Sequence, residues 1–355
     1  MSAAVVTSMV ERARPDIRAL APYSHAAWEP SLERLHANEL PWRVAGDASA
    51  AGLNRYPEPQ PPQLVAGLAR LYGVRSEQVL VGRGSDEAID LLLRVFCRAG
   101  QDNVIVCPPT FGMYAVAARI QGAEVRAVPL LADRGFAVDE AGLLACVDAN
   151  TKLVFLCSPN NPTANAVPPP QLLRIARALE GRALLVVDEA YIDFAPVESL
   201  CPHLDDTPNL AILKTLSKAH GLAGARVGAL LAAPAIIALA RKVIPPYAIT
   251  ELTVEAVTPL LAPPAVEAMQ TRVATLLAER ARVAAGLARA PLVSRVWPSD
   301  ANFLLVDCRD CEAVLARVRG AGLIIRDVRQ PALPQSLRIS IGTPPQNDRL
   351  LQSLA

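Results

Sequence analysis

A chain of 355 residues is longer than one ordinary hydrophobic core requires, so its length predicts one large domain or two modest ones and excludes a disulfide-stapled miniprotein. Hydrophobic residues make up 52% and charged residues 19%, a composition that excludes a disordered or fibrous chain. Thirty-five basic and thirty-four acidic residues give a net charge of +1, which offers no basic surface to nucleic acid. We therefore expect small-molecule partners.

The start of the chain lacks the basic region of a secretory signal. The longest uncharged apolar stretch, residues 227–240, is too short to span a bilayer and contains Pro234. Seven cysteines at irregular spacing predict reduced thiols rather than disulfides. We therefore expect a cytoplasmic protein without a membrane segment.

Through the middle of the chain, short apolar runs alternate with longer segments of helical character, which predicts an α/β fold with a mostly parallel central sheet flanked by helices. Most of the runs are apolar at nearly every position, as in strands covered on both faces. The predicted helices span residues 62–72, 85–98, 114–121, 170–179 and 235–243. The predicted strands span residues 103–107, 124–128, 152–157, 183–188, 210–214 and 227–231.

A second, smaller α+β domain is predicted after the prolines that recur over residues 245–264. Its predicted elements are a long helix at 265–287, strands at 303–306 and 337–341, and a helix at 312–319. We assign residues 1–45 to an N-terminal segment that packs with the small domain, residues 46–250 to the large domain and residues 251–355 to the small C-terminal domain.

Several polar clusters follow predicted strands or open predicted helices, where ligands bind in open α/β sheets. Residues 82–87 open a helix whose free amides favour an anion, although Ser85 or Asp86 is also able to act only as a helix cap. Residues 158–163, SPNNPT, are typical of a sharp turn.

Two ionisable side chains stand out beside these clusters. Asp188 ends a very apolar strand, so its carboxylate requires partners, either in a functional site or in a structural ion pair. Lys218 is one of only four lysines; in a partly dry pocket it forms a Schiff base with an aldehyde, whereas on the surface it is a solvated charge. An amine, a carboxylate and anion-binding amides together meet the needs of pyridoxal 5'-phosphate.

The sequence motifs carry a family resemblance. SPNNPT, DEAY and TLSKAHGLAGARVG, in this order and spacing, resemble the aminotransferases of the aspartate aminotransferase fold. LHANELP, LNRYPEPQP, GRGSDEAID, CPPTFGMY and LRISIGT make nearly the whole chain similar to the histidinol-phosphate aminotransferase family. The fold that this implies has a large domain that binds pyridoxal phosphate and a smaller α+β domain.

The resemblance implies that Lys218 holds pyridoxal phosphate as a Schiff base and, once displaced by substrate, moves a proton between substrate and cofactor. Asp188 would pair with the ring nitrogen, Asn161 and Tyr191 would bond the phenolic oxygen, and Phe111 would stack on the ring. The residues implied around the phosphate are Gly84, Ser85, Asp86, Ser217 and Arg226. Tyr56 resembles the tyrosine that reaches the phosphate in the neighbouring subunit, which implies a homodimer.

For the substrate, Arg338 resembles the family arginine that anchors anions, and Arg326 and Tyr23 resemble its helpers. A forked guanidinium suits both carboxylate and phosphate. Asn38 and Glu39 resemble residues that line the imidazole side. The implied reaction, with ping-pong kinetics, interconverts L-histidinol phosphate and 2-oxoglutarate with imidazole acetol phosphate and L-glutamate in histidine biosynthesis.

Several positions depart from the family pattern. Ala164 stands where glycine is usual, and His220 where phenylalanine or tyrosine is usual. The neighbours of Asn38 and Glu39 also differ, at His36, Leu40, Trp42 and Arg43. A threonine-phosphate decarboxylase and a broad aromatic aminotransferase of the same fold remain alternatives, as does a non-catalytic regulator. The CxxC at 308–311 has no second pair and the four histidines are scattered, so we expect no metal site.

Overall fold

The computed structural model describes residues 9–26, 29 and 31–355, so part of the predicted N-terminal segment, residues 1–8, 27, 28 and 30, lies outside the described residues. The strands of the large sheet are β1 (Val79–Gly82), β2 (Asn103–Val106), β3 (Glu124–Ala127), β4 (Thr151–Cys157), β5 (Leu184–Asp188), β6 (Leu210–Thr215) and β7 (Gly228–Ala232). They lie in the order β1-β7-β6-β5-β4-β2-β3.

The neighbours from β3 to β6 pair in parallel, whereas β7 runs antiparallel to both β1 and β6. Every residue of β4, β5 and β6 is buried, since helices cover both faces of the sheet. The mostly parallel sheet flanked by helices is therefore confirmed. The antiparallel direction of β7 was not predicted, because an apolar run carries no information on strand direction.

Two sets of helices cover the sheet. One face packs on α2 (Pro62–Tyr72), α5 (Glu140–Cys146) and α6 (Pro169–Ala178). The other packs on α3 (Ser85–Phe96), α4 (Met113–Ile120) and α7 (Pro234–Val243). Helices α2, α6 and α7 carry proline in their first turn, where the missing amide hydrogen costs no hydrogen bond.

The second sheet is antiparallel and lies in the order β10-β11-β9-β8. Its strands are β8 (Val293–Val296), β9 (Phe303–Cys308), β10 (Arg326–Asp327) and β11 (Ser336–Ser340). They pack with α9 (Pro263–Leu287), α10 (Cys311–Gly320) and α11 (Pro344–Leu354) around their own apolar cluster. A smaller α+β unit is therefore present, although β8, β10 and α11 were not predicted.

In the chain, α8 (Glu251–Val257) follows the large sheet and precedes the small one. Its Val254 and Val257 belong to the same apolar cluster of the large domain as α2. The residues just after 250 therefore still contact the large domain. The boundary at residue 250 itself stays a prediction.

The described N-terminal residues contact the large domain. Met9 and Ala13 are buried in the cluster of α3 and α7, and the Arg14 amide donates to the Val95 carbonyl at 2.9 Å. The following helix, α1 (Pro15–Ala19), also lies against α7. Residues 9–19 thus pack against large-domain helices, while the expected packing of the N-terminal segment as a whole with the small domain stays a prediction.

Residues 20–56 expose many large apolar side chains. Leu35 is 91% exposed and Trp42 is 72% exposed, and the set also includes Leu20, Tyr23, Leu32, Leu40, Val44, Leu53 and Tyr56. Such a concentration of apolar surface marks an interaction site. Among the described residues, no helix is both long enough and apolar enough to cross a membrane.

Candidate active site

Three buried parallel strands end side by side at one edge of the large sheet. Cys157 at the end of β4 pairs with Asp188 at the end of β5, and β6 ends beside them at Thr215. The loops after these strands, the first turn of α3 and the strands β10 and β11 surround a cavity of about 830 Å³. The predicted site residues that line it are Ser85, Asp86, Phe111, Asn161, Asp188, Tyr191, Ser217, Lys218, Arg226, Arg326 and Arg338.

Asp188 lies buried at the bottom of this cavity. The Tyr114 hydroxyl donates to Asp188 Oδ2 at 2.7 Å, and the Ala190 amide donates to Oδ1 at 3.0 Å. Burial raises the pKa of Asp188 to about 6, and the hydrogen bond from Tyr114 opposes this rise. The carboxylate is thus held in a dry place where a cationic N–H is its natural partner.

Lys218 reaches the same cavity from the loop after β6. Its pKa is lowered by burial first and then by repulsion from Arg338, while Asp188 acts in the opposite direction. The amine lies 5.5 Å from the centre of the Tyr191 ring, and burial raises the pKa of that tyrosine. A lowered lysine pKa favours the neutral, nucleophilic amine.

An anion cradle lies beside Lys218, where α3 begins next to the start of β7. Arg226 Nη2 donates to the Arg83 carbonyl and to Asp86 Oδ2, each at 3.3 Å, and Arg226 Nη1 donates to Ser217 Oγ at 3.4 Å. Gly84 has φ of +89°, and a Cβ there would lie 2.6 Å from Arg226 Nη2. The predicted phosphate residues thus surround one point at a helix N-terminus.

The two asparagines of the SPNNPT turn have different partners. Asn160 donates to the Pro109 carbonyl at 2.8 Å and accepts from Thr110 at 2.7 Å, so it fixes the neighbouring loop. Asn161 faces the cavity, and its Oδ1 accepts from Arg338. Ala164, which departs from the family glycine, is buried with φ of +67°, a left-handed conformation that usually favours glycine.

Two arginines of the small sheet also line the cavity. Arg326 of β10 pairs directly with Arg338 of β11, which places both guanidinium groups on one strand pair. Arg338 lies 5.3 Å from the centre of the Phe303 ring. Among the described residues, Arg326 forms no ion pair, so its charge is available to an anion in the cavity.

Five predicted residues do not line this cavity: Gly84, which belongs to the cradle, and Tyr23, Asn38, Glu39 and Tyr56. Glu39 accepts from Arg34 at 2.7 Å, from Arg55 at 3.0 Å and from the Tyr56 amide at 2.7 Å. Tyr56 stacks on Tyr247 with 4.6 Å between ring centres. The structure therefore groups Glu39 and Tyr56 with each other, rather than with Lys218 of the same chain.

Glu189, the other carboxylate of the DEAY motif, lies outside the cavity and has a structural partner. It forms a buried ion pair with Lys214 of β6 at 2.6 Å, and Ser199 and the Leu200 amide also donate to it. Burial lowers the pKa of Lys214, but the charge and hydrogen bond of Glu189, together with Cys201 and Asp193, raise it by more, so the pKa of the lysine is raised overall. Successive strand residues face opposite sides, so Asp188 serves the cavity and Glu189 the core.

Sequence reasoning missed Tyr114 and Gly228. Tyr114 belongs to the CPPTFGMY motif, but an aromatic residue in the first turn of a helix is indistinguishable from ordinary core. A Cβ on Gly228 would lie 2.5 Å from the Gly84 carbonyl carbon, a close approach that only the folded chain reveals. His220, the other departure from the family pattern, lines a separate cavity of about 420 Å³.

These residues fit pyridoxal phosphate on chemical grounds. Lys218 supplies an amine of lowered pKa, and Asp188 a buried carboxylate with room beside it. The absence of a Cβ at Gly84 lets the Arg226 guanidinium lie directly against the cradle backbone. Amine, carboxylate and phosphate site face one cavity, which is the combination that this cofactor requires.

Comparison with known proteins agrees with this chemistry. The model of the family described as aminotransferase class I and II matches residues 33–354. The chain therefore belongs to the aminotransferase class I and II family, and it is a transaminase that depends on pyridoxal phosphate.

Its relatives are more specific. A histidinol-phosphate aminotransferase of Stenotrophomonas maltophilia (strain R551-3) is 47% identical over 353 residues, which cover 96% of this chain and 95% of the relative. One from Xanthomonas campestris pv. campestris is also 47% identical over 353 residues, covering 98% and 97%. The resemblance to the histidinol-phosphate aminotransferases is therefore confirmed.

Solved structures share the fold. Histidinol-phosphate aminotransferase from Sinorhizobium meliloti, in complex with pyridoxal-5'-phosphate, superposes with a TM-score of 0.76 at 28% identity, covering 86% of this chain and 83% of that one. L-threonine-O-3-phosphate decarboxylase from Porphyromonas gingivalis has a TM-score of 0.71 at 23% identity, covering 85% and 90%. The fold alone thus does not separate the two reactions.

Proposed function

We propose that this protein interconverts L-histidinol phosphate and 2-oxoglutarate with imidazole acetol phosphate and L-glutamate, as a step of histidine biosynthesis. The observation that carries the proposal is one cavity that is lined both by Lys218 and Asp188 of the large sheet's loops and strand ends and by Arg326 and Arg338 of the small sheet. The 47% identity to named histidinol-phosphate aminotransferases over nearly the whole chain supports the same substrate.

In this proposal the large domain holds the cofactor. Lys218 would bind its aldehyde carbon, Asp188 would pair with its ring nitrogen, and Phe111 would stack on its ring. Asn161 and Tyr191 would bond its phenolic oxygen. The phosphate is bound by Gly84, Ser85, Asp86, Ser217 and Arg226, with the backbone amides of α3 and the Arg226 guanidinium as donors.

The bound cofactor supplies an aldehyde that accepts the amino group and a ring that withdraws electrons from the reacting carbon. Lys218 Nζ would be the group that takes the proton from the substrate α-carbon, holds it and gives it back. The lowered pKa of the lysine suits this role, since the group must accept and release a proton near neutral pH. The same residues then act in reverse on the second substrate, which gives ping-pong kinetics.

The two arginines serve both substrates. Arg338 and Arg326 are paired across β10 and β11, so an anion that reaches one guanidinium meets the other. The phosphate of histidinol phosphate and a carboxylate of glutamate both accept two parallel N–H bonds from arginine. Alternation of these anions in one site explains how a single cavity serves a phosphorylated substrate and a dicarboxylate.

We also propose that the active protein is a homodimer in the cytoplasm. The exposed apolar side chains of residues 20–56 require a cover, and seven free thiols suit a reducing compartment. Tyr56 and Tyr23 lie outside the cavity of their own chain. In the dimer, Tyr56 reaches the phosphate of the partner's site, and Tyr23, Asn38 and Glu39 complete the substrate side.

The test is glutamate formation by the purified protein with L-histidinol phosphate and 2-oxoglutarate, beside reactions with phenylalanine and with threonine phosphate. We expect strong preference for histidinol phosphate, loss of turnover in Lys218→Ala, and normal turnover in the matched variant Lys242→Ala. Comparable turnover of phenylalanine would identify a broad aromatic aminotransferase. Release of carbon dioxide from threonine phosphate without 2-oxoglutarate would identify a decarboxylase.

A further inference from the structure

We propose that Tyr114 is a positioning residue that orients the Asp188 carboxylate toward the ring nitrogen of the cofactor and thereby sets the acid limit of cofactor binding. The proposal rests on the pairing of Asp188 with that nitrogen, as given under the proposed function. Tyr114 itself does not line the cavity, so it acts through Asp188.

The geometry begins with the two oxygens of the carboxylate. Tyr114 is fully buried, and its hydroxyl donates to Oδ2 at 2.7 Å. The Ala190 amide donates to Oδ1 at 3.0 Å from the opposite side of the group. Two donors on different oxygens fix the rotation of the carboxylate about its last bond, and the remaining lone pairs are free to meet the cavity.

The ring of Tyr114 is as firmly held as its hydroxyl. It stacks on Phe155 of β4, with 5.0 Å between ring centres and 8° between planes. Its edge meets Phe111 at 5.5 Å and 82°. One side chain therefore contacts both Asp188 and Phe111, the two residues assigned to the edge and the face of the cofactor ring. Small displacements of Tyr114 would misplace both.

The hydroxyl also matters electrostatically. Burial raises the pKa of Asp188 to about 6, and the Tyr114 hydrogen bond counteracts that rise by stabilising the carboxylate. Asp86 of α3 raises the same pKa and Lys218 lowers it. The other titratable groups that interact with Asp188 are Cys157 and Tyr191. Removal of the hydroxyl is therefore expected to raise the pKa of Asp188 further.

This shift has a measurable consequence for binding. The pair of Asp188 and the ring nitrogen holds one proton, so binding must release a proton once Asp188 of the free protein is protonated. Affinity for pyridoxal phosphate then falls as the pH drops below the pKa of Asp188. A variant with a higher pKa at Asp188 must lose affinity at a higher pH.

The experiment is titration of the cofactor-free protein and of Tyr114→Phe with pyridoxal 5'-phosphate, followed by absorbance from about pH 5 to about pH 9. The same titrations use the analogue whose ring nitrogen is replaced by C–H, which keeps the aldehyde and phosphate but has no group for Asp188. We expect Tyr114→Phe to weaken pyridoxal phosphate about tenfold near neutral pH, the effect of one lost hydrogen bond to a charged group. The acid limb of binding, meaning the fall in affinity at low pH, should begin at a higher pH in Tyr114→Phe. The affinity for the analogue should not change.

Two further variants separate positioning from a general effect on folding. Tyr72→Phe removes the hydroxyl of another tyrosine, one outside the cavity, and should leave both affinities unchanged. In an Asp188→Asn background, Tyr114→Phe should have no further effect on the acid limb, because the titrating carboxylate is gone.

The proposal is overturned if Tyr114→Phe leaves the acid limb of pyridoxal phosphate binding in place. It is equally overturned if the variant weakens pyridoxal phosphate and the analogue by the same factor, since Tyr114 would then only support the fold. If Asp188 does not pair with the ring nitrogen at all, the result is different. The unmodified protein would then bind pyridoxal phosphate and the analogue with the same pH profile.

Discussion

At the residue scale, Gly228 lies so close to the phosphate cradle that there is no room for a side chain at this position. A Cβ at this position would lie 2.5 Å from the Gly84 carbonyl carbon and 2.6 Å from the Ser85 amide nitrogen. Both neighbours are backbone atoms, so neither is able to rotate away as a side chain would. Any relief must move the amides to which we assign the phosphate.

We therefore expect Gly228→Ala to lower the free energy of unfolding by about 1–3 kcal/mol, the usual effect of overpacking, and to weaken cofactor binding about tenfold or more. Urea unfolding and cofactor titration measure the two effects. Gly224→Ala is the matched control, because a Cβ there meets nothing within 4 Å. Equal behaviour of the two variants would contradict the role of close packing.

Asp188 predicts a pH dependence of stability in the cofactor-free protein. Its folded-state pKa of about 6 lies above the value of about 3.9 for an unfolded aspartate. Between these values the folded state binds more protons, so the free energy of unfolding falls as the pH rises through this window. Above it, the buried charge costs the protein stability.

Asp188→Asn removes that charge, so the cofactor-free variant should gain stability over the unmodified protein as the pH rises from 4 to 7, by roughly 2–3 kcal/mol. Urea unfolding of both proteins at several pH values measures the difference. A difference that stays constant with pH would show that Asp188 is not protonated in this range. The variant should bind the cofactor poorly at every pH.

At the scale of secondary-structure elements, the buried pair of Glu189 and Lys214 joins β5 to β6 behind the active site. Ser199 bridges the pair, since it donates to Glu189 and accepts from Lys214 at 3.1 Å. The ends of both strands carry site residues, namely Asp188 and Thr215. The ion pair therefore holds in register the two strands from which the site is built.

Glu189→Gln should destabilise the protein by about 3 kcal/mol or more, because Lys214 would remain buried without an opposite charge. The exposed pair of Arg174 and Glu140 supplies the control, and Glu140→Gln should cost less than about 1 kcal/mol. Urea unfolding of both variants measures the two losses in the free energy of unfolding. Similar costs for the two substitutions would mean that Lys214 finds another partner or is hydrated.

Sequence patterns predicted six of the seven strands of the large sheet, all except β1, for a physical reason. A strand covered on both faces must be apolar throughout, so β4 and β5 were placed within a residue of their observed bounds. β10 has two residues, both exposed, and exists only because it pairs with β11, so no local pattern marks it. Short or edge elements depend on partners that are distant in sequence.

The site was predictable to a similar extent. Lys218, Asp188 and the cradle residues carry motifs, and the structure brings them to one cavity. The contact between Gly228 and Gly84 joins residues far apart in the chain, and the Tyr114 hydrogen bond spans 74 positions. Such roles follow from three-dimensional proximity, which residue types alone do not specify.

At the scale of the whole molecule, the proposed homodimer divides each active site between two chains. Lys218 lies in the cavity of its own chain, whereas Tyr56 lies outside it, stacked on Tyr247. If Tyr56 serves the partner's site, a defect in Tyr56 on one chain and a defect in Lys218 on the other chain damage the same site, and the second site of the dimer stays intact.

Mixing Tyr56→Ala with Lys218→Ala should therefore restore activity that neither variant has alone. A hybrid dimer holds one site with both substitutions and one with none, so an equal mixture that exchanges subunits fully should recover about a quarter of the unmodified activity. Glutamate formation after mixing, unfolding and joint refolding measures it. Absence of recovery, with hybrids present by mass spectrometry, would place Tyr56 in its own chain's site or outside both.

The Arg338 guanidinium donates to the neutral amide oxygen of Asn161. A carboxylate or phosphate accepts a hydrogen bond from arginine of about twice the strength of one to a neutral group. In the proposed function, an anionic substrate would therefore gain affinity by replacing Asn161 as the partner of Arg338, whereas a neutral molecule would not. This exchange of partners would make the cavity select anions over neutral molecules of similar shape.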